Sequence, residues 1–123
     1  MKVLIIDDDA DINVLSKVAL EANNHSVFQA YNGYQGVELA LKHADELDLI
    51  ILDIMMPDLD GFEVLKILKK EPSTSNIPVI FLSARKFRDS TMAEYEELIV
   101  KFISKPFELS EFIQNVESHS RNR

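Results

Sequence analysis

Five short apolar runs recur along the chain, Val3–Ile6, Val27–Ala30, Leu49–Leu52, Val79–Leu82 and Val100–Ile103. Each is too short for a helix and most are rich in β-branched or aromatic residues, so they predict strands. Between them apolar positions fall at helical spacing. Leu15, Val18, Ala19 and Ala22 share one predicted face, as do Val37, Ala40, Leu41 and Ala44. Phe62, Leu65 and Leu68 form a third face, and Leu109, Phe112, Ile113 and Val116 another. The segment 88–98 carries the weakest helical pattern, through Met92, Tyr95 and Leu98. Asn32-Gly33 predicts a turn, 71–78 a polar loop with two prolines, and Lys105-Pro106 the end of the last strand.

Strand and helix therefore alternate five times. Near-continuous apolar strands separated by helices imply a parallel sheet covered on both faces, and right-handed crossovers make it a doubly wound α/β sandwich. No repeat or linker interrupts it. Residues 1–119 are expected to form one domain and 120–123 a frayed polar tail, with no output domain in this chain.

Composition narrows the function. The 123 residues hold 13 basic and 21 acidic side chains, a net charge of −8. That excess opposes general binding to nucleic acid or an anionic membrane, which needs a basic face. With no cysteine, a disulfide framework, a thiolate zinc site and a thiol nucleophile are excluded. The N-terminal stretch is too short in apolar residues for a signal peptide, and no run approaches membrane-spanning length. The expected setting is soluble and cytoplasmic.

Ligands of open α/β sheets sit beyond the carboxyl ends of the strands. There the first run ends in Asp7-Asp8-Asp9, the third in Asp53, the fourth in Ser83 and the fifth before Lys105. Two carboxylates about 4 Å apart at an effective dielectric near 20 repel by roughly 4 kcal/mol. A hard divalent cation and the Lys105 ammonium are the two remedies this chain offers. Together they would also neutralise the oxygens of an incoming phosphoryl group, and an aspartate is a competent nucleophile toward one. The small Ala84 leaves room beside Ser83, and Gly61 allows a close approach into the third helix.

"VLIIDDD", "DIMMPDLDG", "VIFLSA" and "KFISKPF", in this order and spacing, resemble the receiver domain of two-component response regulators over essentially the whole chain. The resemblance implies a flavodoxin-like strand order 2-1-3-4-5. It makes Asp53 the phosphoacceptor. Asp8 and, through water, Asp7 would hold magnesium, or manganese in its place, with Asp53 and the Met55 backbone carbonyl completing the set. Lys105 would contact the phosphoryl group, Ser83 and Phe102 would form the switch, and Lys105-Pro106 would be cis. Met55, Ala84 and Arg85 would tune the lifetime of the phosphoryl group. The implied donors are a sensor histidine kinase, a phosphotransfer protein or a small acyl phosphate. Modification would alter binding of a downstream protein through the fourth helix, fifth strand and fifth helix. Homodimerisation on phosphorylation stays open. Only self-phosphorylation and self-dephosphorylation are implied, not turnover of an external substrate.

Departures and plainer readings accompany this likeness. Leu98-Ile99 stands where receivers usually carry Gly-Ala, and the switch pair is Ser with Phe where Thr with Tyr is common. Asp9, Asp11 and Asp60 read as helix caps or first-turn acids, and Asp58 as a solvated loop residue. Asp7-x-Asp9-x-Asp11 opens like a calcium loop, but Ile12 and Val18 stand where that loop needs Gly and Glu. His25, His43 and His119 lack ligand spacing and are expected at the surface. Two alternatives remain: a phosphohydrolase of the haloacid dehalogenase type with its nucleophile at Asp7, and a receiver-like module that binds without phosphorylation.

Overall fold

The computed structural model describes residues 1–84 and 90–121. In order, they form β1 (Lys2–Ile6), α1 (Ala10–Ala22), β2 (Ser26–Ala30), α2 (Gly33–Lys42), β3 (Leu49–Asp53) and α3 (Gly61–Lys70). There follow β4 (Val79–Ser83), α4 (Ser90–Tyr95) with a 3-10 turn at Glu96–Leu98, β5 (Lys101–Ser104) and α5 (Leu109–His119). All four strand pairings are parallel, in the order β2-β1-β3-β4-β5. The predicted α/β doubly wound architecture is therefore the observed one. Predicted strand limits move by a residue at most. Val100, expected in a strand, is exposed and precedes β5. Arg85 and residues 88–89 of the predicted fourth helix lie outside the described residues.

Side chains alternate across each strand, which divides the core into two layers. Val3, Ile5, Leu49, Ile51, Ile80, Leu82 and Ile103 pack with Leu20 of α1 and with Phe112 and Val116 of α5. Leu4, Ile6, Ile50, Leu52, Val79 and Phe81 face the other way, against Ala40 of α2, Val64, Leu65 and Leu68 of α3, and Tyr95 of α4. β1, β3 and β4 bury apolar side chains on both faces, which is why they read as unbroken apolar runs.

The predicted α1 face is not the buried one, and of the predicted α2 face Ala40 and Ala44 are buried and Val37 packs on the core while Leu41 does not. α1 turns Asn13, Ser16 and Leu20 inward, and Leu15 and Val18 are exposed. α2 buries Gly33, Gly36 and Ala40 and exposes Leu41. Close approach explains α2: a Cβ on Gly36 would stand 2.6 Å from Ile6 Cδ1. Small residues belong on such a face, and larger apolar ones are displaced outward. Asn32-Gly33 is not a free turn either, since Asn32 caps α2 through Gln35 N–H and Gly33 is its first residue.

The three histidines are half-buried rather than on the surface. His25 links the Met1 amine to Glu117, His43 contacts Glu46 and stacks on Phe28, and His119 contacts the Asn115 carbonyl. The polar tail is held at Arg121, whose N–H donates to the Asp48 carbonyl at 2.7 Å; residues 122–123 lie outside the described residues. Among the described residues no helix is long and apolar enough to cross a membrane.

Candidate functional site

Strand register brings the predicted residues to one edge. Ile6 pairs with Leu52, so Asp7 comes level with Asp53. Asp53 pairs with Leu82, which sets Ser83 one step further along, and Ser83 pairs with Ser104, just before Lys105. The Lys105 N–H donates to the Ser83 carbonyl at 2.8 Å, which carries the β4–β5 pairing to the foot of the lysine. The Lys105-Pro106 peptide is cis, as expected from the family likeness.

Asp7 and Ser83 are fully buried and Asp53 nearly so, whereas Asp8 is exposed. Asp7, Asp8 and Asp53 each offer a carboxylate oxygen, and these oxygens lie within 4.8 Å of one another. Asp7 is held at both oxygens: Oδ1 accepts the Asp9 N–H at 2.9 Å, and Oδ2 accepts from Lys105 Nζ at 2.8 Å. The same ammonium is 3.6 Å from Asp53 Oδ1. Lys105 thus rests on Asp7 and leans toward Asp53. Burial, then the Asp7 charge, push the Asp53 carboxyl up to about 7 against the opposing pull of Lys105. Three hard oxygen donors with one open, exposed side suit a cation that keeps much of its water, as magnesium does.

Neighbouring segments fix the frame. Asp9 caps α1 by accepting from Asp11 and Ile12 N–H, as read from the sequence. Asp60 caps α3 in a reciprocal capping box with Glu63, also as expected. Gly61 is required because a Cβ there would stand 2.5 Å from the Asp53 carbonyl oxygen, so α3 starts directly against the end of β3. Met55 and Ala84 are exposed beside the site, and Asp58 is an exposed loop residue with φ of 68°. Phe102 is half-buried and packs on the α2–α4 side of the sheet, where Leu98 and Ile99 also pack.

Sequence reading missed Asn13. It is fully buried, and its side-chain amide donates to the carbonyls of Asp7 at 3.0 Å and Ala30 at 2.9 Å. Gln29 Nε2 in turn donates to Asn13 Oδ1 at 2.9 Å. No spacing rule signals a bond from a helix to a strand end; the only hint was a polar residue on the turn after the acidic triplet.

Fold and site together define a doubly wound α/β sandwich with clustered carboxylates and a lysine ammonium at the carboxyl ends of its strands. Comparison with known proteins makes this specific: the response regulator receiver domain matches residues 3–117, and the chain belongs to that family of two-component signalling domains. It is 34% identical over 117 residues to the DNA-binding dual master transcriptional regulator RpaA of Synechocystis sp., covering 95% of this chain and 48% of that protein. To the nisin biosynthesis regulatory protein NisR of Lactococcus lactis subsp. lactis it is 37% identical over 120 residues, covering 96% and 49%. The chain spans about half the length of the curated relatives it matches. Among solved structures, a CheY-like receiver domain protein from Methanospirillum hungatei JF-1 superposes with a TM-score of 0.81 at 30% identity, covering 93% of this chain and 89% of that one. Chemotaxis protein CheY4 of Vibrio cholerae shares the fold with a TM-score of 0.87 at 24% identity, covering 96% and 97%.

Proposed function

We propose that Asp53 is the phosphoacceptor of a magnesium-dependent receiver, and that its modification changes the binding of a downstream protein. The observation that carries this reading is the convergence of Asp7, Asp8 and Asp53 within 4.8 Å, with the Lys105 ammonium touching Asp7 and 3.6 Å from Asp53. The donor is the phosphohistidine of a sensor kinase or phosphotransfer protein, or a small acyl phosphate. An Asp53 carboxylate oxygen attacks phosphorus in line, a P–O bond forms, and the P–N bond of phosphohistidine breaks. The leaving imidazole nitrogen keeps the electron pair and takes a proton from solvent.

Asp8 and Asp53, with Asp7 through water and the Met55 carbonyl, would hold magnesium, which when bound supplies positive charge beside the phosphoryl oxygens. Lys105 supplies a second positive charge, and burial of Asp53 limits attack by water. The Ser83 hydroxyl turns toward the new phosphoryl group and Phe102 moves inward, so the face made by α4, β5 and α5 takes up its second state more often. In this reading residues 1–119 act as one phosphorylatable unit without turnover of an external substrate, with Met55, Ala84 and Arg85 tuning the phosphoryl lifetime.

Incubation with acetyl phosphate and magnesium, followed by intact mass, tests the proposal. One added phosphoryl group is expected, lost in EDTA and lost in Asp53→Asn. A folded, magnesium-binding protein that gains no mass would overturn phospho-acceptance from small donors and favour a module that binds without modification.

A further inference from the structure

The acidic pair Asp7-Asp8 lies in a three-residue turn between β1 and α1, with Asp8 the exposed member. Asp7 N–H donates to the Ala30 carbonyl at 3.1 Å, and Asn13 N–H donates to the Asp9 carbonyl at 3.0 Å. The Asn13 side chain closes the remaining gap. One amide bonds both the Asp7 carbonyl and the Ala30 carbonyl, so the exit of β1 is tied to the end of β2 at the point where the acidic pair begins.

We propose that Asn13, with Gln29 as its partner, is a positioning residue that sets the spacing of Asp7 and Asp8 for divalent cation binding. This rests on the reading of those residues, with Asp53, as magnesium ligands. Three arguments support it. Asn13 is fully buried in a helix whose outward positions Val14, Leu15 and Val18 are apolar, an inversion that ordinary core packing does not require. Its nitrogen and its oxygen are all engaged, so the amide has one orientation. The two carbonyls, which can only accept, fix it, and Gln29 completes the arrangement by donating to the Asn13 oxygen. Groups that hydrogen-bond a metal ligand typically change metal affinity 10–100-fold when removed; Asn13 holds the Asp7 main chain rather than its carboxylate, so the lower end of that range applies.

Magnesium chloride titrated calorimetrically into the full chain tests this, comparing wild type with Asn13→Ala, Gln29→Leu and Val116→Ala. Val116, a fully buried residue of α5, serves as a stability control. Asn13→Ala is expected to bind magnesium about tenfold more weakly. Gln29→Leu, half-buried and milder, is expected to weaken it roughly threefold in the same direction. Val116→Ala should leave affinity unchanged although it lowers the unfolding midpoint. The double variant should bind no more weakly than Asn13→Ala, since both changes act through one amide.

Wild-type affinity in a folded Asn13→Ala overturns the inference, as does equal weakening by Val116→Ala. If Asn13→Ala does not fold, the Gln29→Leu affinity decides alone. A wild-type chain that binds no magnesium overturns the underlying metal reading, a result distinct from binding that is indifferent to Asn13.

Discussion

Burial and the adjacent Asp7 charge hold the Asp53 carboxyl at about 7, well above the ordinary aspartate value of 3.8. The unfolded chain releases that proton near the ordinary value, so between the two the folded, metal-free protein carries the extra proton. Stability therefore falls as pH rises through this window, and the loss is complete above about 7. It amounts to at most about 4 kcal/mol. In EDTA, Asp53→Asn is expected to be more stable than wild type at pH 8, with the difference narrowing toward pH 5; urea denaturation at both pH values measures it. Parallel curves would show that Asp53 is not held against its charge. Lys105 has the opposite effect on this site. Lys105→Met would leave the buried Asp7 Oδ2 without its cation and cost about 3 kcal/mol at pH 7. Saturating magnesium should restore part of that loss, read as a rise in the urea midpoint of the variant.

At the scale of elements, the start of α3 couples the helix layer to Asp53. Gly61→Ala would drive a methyl into the Asp53 and Ile54 backbone, so a loss of at least 2 kcal/mol and a weaker magnesium site are expected from denaturation and calorimetry. Asp60→Ala removes only the capping box. It should cost about 1 kcal/mol, or roughly 3–5 °C in Tm, with magnesium affinity unchanged. Legibility differs between elements for physical reasons. β1, β3 and β4 bury both faces, so their apolar runs stand out, and the chemistry at their ends lies next to them in sequence. α1 was misread because its inward face is Asn13, Ser16 and Leu20: polarity there serves hydrogen bonding across elements, which periodicity cannot register. Leu41 was misplaced for the related reason that α2 approaches the sheet through glycines. The positions of Asp53, Lys105 and the capping acids were recoverable because each stands at an element end.

The whole molecule presents acidic charge at large, with an apolar stripe on α1 where Val14, Leu15 and Val18 are exposed beside the turn that carries the acidic pair. Val18 is 59% exposed, so Val18→Glu should shift isolated-domain stability by less than about 0.5 kcal/mol. Phosphorylation by acetyl phosphate should persist in that variant, while transfer from a partner protein that covers the stripe should slow; equal rates from both donors would remove α1 from the contact. Burial of both sheet faces has its own consequence. In a sheet wet on one side, sliding a strand by one residue exposes its oily half and is punished at once. Here a slipped β3 would still present Leu and Ile to both layers, so greasiness alone cannot proofread the alignment. That task falls to the strand tips. Randomising Leu49–Leu52 among aliphatic residues should leave most clones folded, whereas one-residue insertions before Asp53 should leave few, a contrast a proteolysis-based library screen would score directly.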